Sequence, residues 1–159
     1  MRPYLSLRHR DFRWLFTAQL ISLTGSQMQA AAIDWHVYLL TRSPLALGMV
    51  GLSRVIPIVS LSLLGGVVAD RYDRKRVMLA TQLTMTAVAA LLGFLTLTHH
   101  ETLYTLYLLT GMTSAAGSFD NPARQALVPR LVPREDLPGA LAMNLTMFHA
   151  GMIGGPALA

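Results

Sequence analysis

The chain of 159 residues contains no cysteine, which excludes a disulfide framework and any thiolate metal site. It is also poor in charge, with 13% charged against 53% hydrophobic residues and a mean hydropathy of +0.45. Soluble domains carry about 25% charged residues, because a surface facing water requires them. A globule of this length could not be coated with so few, so burial in a lipid bilayer is the alternative. Acidic residues are the scarcest, 8 against 13 basic, for a net charge of +5. That balance does not point to nucleic acid, since the aromatics lie in apolar runs and not among the basic clusters. No motif asks for a cofactor or a metal.

What is present is a series of long apolar runs. Residues 14–33, 77–98, 103–119 and 137–159 hold no Asp, Glu, Lys or Arg, and residues 45–69 hold only Arg54. A helix needs about 20 apolar residues to cross the hydrocarbon core. The runs therefore predict an all-α membrane protein of five transmembrane helices, at about 14–40, 45–69, 77–98, 103–127 and 137–159. A cytoplasmic segment, residues 1–13, precedes them. Strands do not fit, because the runs lack polar alternation and lipid admits only helices or closed barrels. The first run is too long for the core of a signal peptide and is followed by more spans.

Basic residues set the orientation. Arg2, Arg8, Arg10 and Arg13 precede the first span, Arg71, Arg74, Lys75 and Arg76 follow the second, and Arg124, Arg130 and Arg134 follow the fourth. With alternating helices these eleven of the 13 basic residues fall on one side, and the positive-inside rule makes that side cytoplasmic. The outer links, Thr41 to Pro44 and His99 to Glu101, are short enough to force neighbouring helices antiparallel. The inner link from Pro129 to Pro138 carries three prolines and is expected to be a structured loop. The apolar ending, Gly154 to Ala159, suggests a truncated piece of a longer protein.

The most specific stretch runs from Gly65 to Arg76. It resembles the cytoplasmic signature between helices two and three of the major facilitator superfamily, Gly-x-x-x-Asp-Arg-x-Gly-Arg-Lys/Arg. Gly66, Asp70, Arg71, Arg74 and Lys75 match it, and Asp73 replaces the second glycine, a change expected to be mild because Asp tolerates positive φ in turns. Gly66 is expected to let another backbone come close. The resemblance implies a latch that favours the outward-open state. A plain basic loop would explain the Arg and Lys but neither Gly66 nor Asp70.

Two further stretches, Leu40 to Gly48 and Ser118 to Leu137, resemble the branch that holds the enterobactin exporter, macrolide efflux pumps and transmembrane secretion effectors. The resemblance covers almost the whole chain. It implies about five-twelfths of a twelve-helix transporter, with a six-helix N-terminal half left one helix short and the C-terminal half missing. Gly151, Gly155 and Pro156 resemble the Gly-x-x-x-Gly-Pro signature of exporters on helix five, with Ala142 in place of an earlier glycine. Many drug–proton antiporters carry an arginine on helix four, and Tyr107 stands in its register here.

Charges inside spans are costly and point to function by default. Counted from the outer link, Asp34 lies about 6–7 residues deep and Arg54 about 10, a difference near 5 Å that an Arg side chain can cover. Three readings fit: a cavity-facing pair that meets substrate or changes protonation, an ion pair that only ties two helices together, or an Asp34 already at the lipid interface. Trp35 and Tyr38 suit an interfacial belt or a stacking surface for an aromatic substrate. Asp120 and Arg124 have the spacing of a same-face helical pair, either a relay with the Asp70 loop or a local pair. His36 and His149 lack metal spacing, and His99 and His100 are expected to be solvated.

The chain is therefore expected to belong to the inner membrane as a multi-pass protein with its N-terminus in the cytoplasm. Its parent would be a secondary active transporter, a proton-coupled exporter of small amphipathic molecules of drug, macrolide or siderophore type. The alternative is a non-transporting helical module or defective fragment. A membrane enzyme lacks support, since no catalytic constellation lies in the spans.

Overall fold

A computed structural model describes residues 8–158, apart from the side chains of Ala69, Asp70 and Arg130. Among the described residues there are five α-helices and no strand: α1 (Arg10–Thr41), α2 (Pro44–Arg71), α3 (Arg74–Leu97), α4 (Leu103–Leu131) and α5 (Leu137–Leu158). The helices follow the apolar runs and differ at their ends. α1 starts inside the basic N-terminal segment, because charge limits depth in lipid and not helicity. Asp11 in its first turn suits the helix dipole.

α4 continues through Pro122 and Pro129 to Leu131, which corrects the expected loop from Pro129 to Pro138. A proline removes one helix hydrogen bond and bends the helix without having to end it. The link is in fact short, closed by Asp136 N–H to the Pro133 carbonyl at 3.0 Å. Pro138 then falls in the first turn of α5, where its missing N–H costs nothing.

Turn chemistry fixes the other ends. Ser43 and Pro44 open α2, with proline in the first turn. α3 closes with His99 N–H to the Thr96 carbonyl at 3.2 Å and His100 N–H to the Leu95 carbonyl at 3.0 Å, the two bonds of a Schellman motif. His99 accordingly has φ 53, and Arg42 after α1 has φ 52. Asp73 does not need the positive φ that Asp would tolerate. At φ −60 and ψ 115 it caps α3 instead, its carboxylate accepting from Arg76 N–H at 3.0 Å. A capping carboxylate is useful there, because Arg74, Lys75 and Arg76 oppose the dipole at that helix start.

Two compact units partition the chain, one of residues up to 32 and from 125 onward, the other of residues 33–124. The first has a core of Phe12, Val128, Val132 and Ala140, packed by Leu15, Phe16 and Met143. The second has a core of Ile33, Val37, Val50 and Leu106, with Leu47, Leu92 and Tyr107 around it.

Among the described residues, α2 and α3 are long and apolar enough by composition to cross a membrane. Their most apolar stretches are only 6% and 17% buried by the rest of the chain. The core helix of a soluble protein would be covered, and apolar surface left bare on this scale calls for lipid. α1 and α4 are more polar, with Gln19, Gln27 and Gln29 in α1 and Asp120 and Asn121 in α4, whereas α5 has no charged side chain and is interrupted by Asn144 and His149.

Candidate functional site

In the unit of residues 33–124, the Asp34 carboxylate of α1 meets the Arg54 guanidinium of α2. Arg54 Nη2 donates to Oδ1 at 2.8 Å and Nη1 to Oδ2 at 3.2 Å. This two-pronged fit is the strong form of the Arg–carboxylate contact. The side chains remain 42% and 30% exposed, so the pair is open to an approaching ligand or proton. Trp35 beside it is exposed and lies 6.2 Å from Tyr38 in a tilted ring pair. Arg42 sits 5.5 Å above the Tyr38 ring, a cation–π contact.

Tyr107 is partly buried in the same unit. Its hydroxyl donates to the Ala46 carbonyl of α2 at 3.2 Å, and its ring packs on the core of that unit. A tyrosine engaged in this way ties α4 to α2 and carries no fixed charge.

Asp120 is 5% exposed and accepts from Thr81 Oγ1 at 3.0 Å and Gln82 Nε2 at 3.2 Å, both on α3. Arg124 donates to Asn121 Oδ1. The described ion pairs do not join Asp120 to Arg124, although the two are four residues apart on one helix. A buried carboxylate takes the donors nearest to it, and α3 supplies two.

One contact escaped the sequence reading. His36 of α1 lies 3.1 Å from Glu101, whose side chain is 9% exposed although it belongs to the link between α3 and α4. Glu101 Oε2 is buried without a hydrogen-bond partner. The partners are 65 residues apart, so no spacing rule reveals them. In the other unit His9 contacts Asp136 at 3.0 Å.

In the signature loop, Arg71 ends α2, and Arg74 and Lys75 begin α3. Asp70 lies in the last turn of α2, and its side chain falls outside the described residues. Gly66 does not make the expected close approach, since a Cβ added there would meet nothing within 4 Å. Its neighbour Gly65 does: a Cβ there would overlap the Ser118 carbonyl oxygen of α4. Successive helical residues point about 100° apart, so the two glycines serve different faces.

On α5, Gly151 and Gly155 share one face against α1. A Cβ on Gly151 would lie 2.9 Å from Leu23 Cδ2, and one on Gly155 would overlap Gln27 Cβ and come 3.1 Å from the Thr24 carbonyl oxygen. Small residues four apart let the two backbones meet. Pro156 follows immediately and lies inside the helix.

Comparison with known proteins bears on the chain as a whole. The family described as transmembrane secretion effector matches residues 1–159. The enterobactin exporter EntS of Shigella boydii is 32% identical over 157 residues, covering 95% of this chain and 38% of the relative. Macrolide efflux protein A of Streptococcus pyogenes is 26% identical over 148 residues, 93% of this chain and 36% of the relative. The staphyloferrin A transporter of Staphylococcus aureus is 26% identical over 151 residues, 92% and 37% respectively. The chain thus spans little more than a third of the length of these relatives. No solved structure matches it.

Proposed function

Because the chain belongs to the transmembrane secretion effector family of the major facilitator superfamily, we propose that it supplies the first five membrane-spanning helices of a secondary active exporter. The family match over residues 1–159 carries this reading, with relatives named for macrolide efflux and enterobactin export in support. Transport is the business of this family, and no chemical conversion is involved. All five helices cross the inner membrane with the N-terminus in the cytoplasm, as the clustered basic residues favour. The cargo is a small amphipathic molecule, and protons drive its export.

In this reading the Asp34–Arg54 pair is the coupling or cargo-contact point. An ion pair inside the membrane is an expensive feature that otherwise has to be justified by helix tethering alone. Arg54 holds a fixed charge, and Asp34 is the member able to take up a proton and release its partner. Tyr107, bonded to the Ala46 carbonyl, does not supply the cation that many antiporters keep in that register. The signature loop from Gly66 to Lys75 serves as a latch between states, and Asp120, bonded to Thr81 and Gln82, ties α4 to α3.

Five helices do not enclose an alternating-access cavity, which lies between repeats at the membrane midplane. Export therefore belongs to a parent chain of the relatives' length. The test is accumulation of a fluorescent macrolide in efflux-deficient cells. The parent should lower accumulation, a proton uncoupler should abolish the effect, and the 159 residues alone should have none. Export that survives the uncoupler would remove proton drive. No export by the parent with macrolide, siderophore or cationic dye would favour a non-transporting helical module.

A further inference from the structure

Prolines interrupt both α2, at Pro57, and α4, at Pro122 and Pro129, and the position of each dictates which backbone carbonyl loses its donor. Pro57 has no N–H, so the Ser53 carbonyl four residues earlier loses its helix bond. Pro122 does the same to Ser118. In water such a carbonyl turns to solvent, whereas in lipid nothing replaces the missing donor unless the protein does.

A glycine of the opposite helix faces each of these two carbonyls. A Cβ on Gly65 of α2 would overlap the Ser118 oxygen and lie 3.5 Å from Pro122 Cγ. A Cβ on Gly111 of α4 would lie 3.3 Å from the Ser53 oxygen and 3.8 Å from Pro57 Cγ. The arrangement is reciprocal: a glycine of α2 faces the carbonyl released by Pro122, and a glycine of α4 faces the one released by Pro57. It is also selective, since Gly48, Gly51 and Gly66 of α2 and Gly117 of α4 meet nothing within 4 Å. The serine hydroxyls turn elsewhere, Ser53 to the Met49 carbonyl at 2.8 Å and Ser118 to the Ser114 carbonyl at 3.0 Å.

A glycine carries a hydrogen where other residues carry Cβ, and that Cα–H is a weak donor to a carbonyl oxygen at close range. We propose that Gly65 and Gly111 are positioning residues whose Cα–H groups take the place of the amides removed by Pro122 and Pro57, clamping α2 and α4 into one body. That body carries the Asp70 loop, at the cytoplasmic end of α2, together with Asp120 on α4. The clamp rests on the membrane placement proposed above and is independent of whether cargo is exported.

The test is epistasis between glycine and proline on the 159-residue chain in lipid nanodiscs. Gly65→Ala should lower the unfolding midpoint by about 5 °C or more, while Gly51→Ala, in open space, should not. Pro122→Ala returns an N–H to the Ser118 carbonyl and removes the ring beside Gly65. In that background Gly65→Ala should retain less than half of its effect. A spin-label pair at V59C and L108C, on exposed faces of α2 and α4, should show a distance distribution that broadens with Gly65→Ala and narrows again in the double variant. Equal cost of Gly65→Ala with and without Pro122, or no cost at all, overturns the proposal. If Gly65→Ala does not fold, Gly111→Ala with and without Pro57→Ala is read in the same way, because its neighbours leave more room. None of these readouts uses transport, so a failed export assay leaves the clamp standing, and additive midpoints leave the export reading standing.

Discussion

Asp34 and Arg54 owe their contact to depth arithmetic on two antiparallel helices, and the two-pronged geometry makes the pair cooperative. Removing one partner strands the other charge at the edge of an apolar environment. Partial exposure moderates the cost, which places each single change, Asp34→Asn or Arg54→Gln, at about 1–3 kcal/mol. The double variant should lose clearly less than the sum of the two in a thermal-unfolding cycle, and strict additivity would show that the contact contributes nothing. A second residue-scale prediction concerns His99, which closes the Schellman motif with φ 53. That region disfavours side chains with a Cβ, and His99→Gly should raise stability by about 1 kcal/mol, measured as a higher unfolding midpoint. The Asp34–Arg54 contact was legible in the sequence because both residues sit on regular helices counted from the same short link. His36–Glu101 was not, because Glu101 lies in a link whose path depends on tertiary packing. The capping role of Asp73 was hidden for a related reason: turn statistics say only that Asp is tolerated there, whereas the basic start of α3 gives a capping carboxylate its use.

Helices are the level at which the sequence spoke most clearly. Charge-free runs mark where a chain can sit in lipid, and α2, α3 and α5 begin and end within a few residues of them. The misses, an early start of α1 and an extended α4, occur where helix continues beyond the apolar stretch, which hydropathy does not report. Which glycine of the Gly65–Gly66 pair makes the close contact was equally hidden, since it depends on the rotation of α2 about its own axis. Topology is testable directly because the chain has no native cysteine. Tyr72, exposed at the end of α2, and His100, exposed beyond α3, are separated by one helix. Single variants Y72C and H100C should react with a membrane-impermeant maleimide from opposite faces, H100C in intact cells and Y72C only after permeabilisation. Labelling of both from outside would remove the assignment of α3 as a span and, with it, the alternation on which the five-helix topology rests.

At the scale of the whole molecule, transport by the proposed exporter depends on the balance between two states, so a residue can matter greatly to transport and little to folding. The stretch from Gly66 to Lys75 invites a separation of the two effects, because Asp70 and Asp73 stand three residues apart on different jobs. Asp73 caps α3 through the Arg76 N–H, a local bond whose loss in Asp73→Ala should cost about 1 kcal/mol of stability. If that bond is all Asp73 does, export by the parent should fall only as far as the folded amount falls. Asp70 is the acidic position of the signature, in the last turn of α2 among four basic residues. A latch carboxylate contributes differential free energy between states, and losing about 1.4 kcal/mol of it shifts their ratio tenfold. Asp70→Asn keeps the size and hydrogen-bonding capacity of the side chain while removing its charge. In the parent it should therefore lower the initial rate of export severalfold in inverted membrane vesicles while leaving expression and the unfolding midpoint close to those of the unaltered protein. A change in midpoint that accounts for all of the lost rate would make Asp70 a structural residue like Asp73. An unchanged rate at normal expression would show that the loop orients the chain through its basic residues alone and latches nothing.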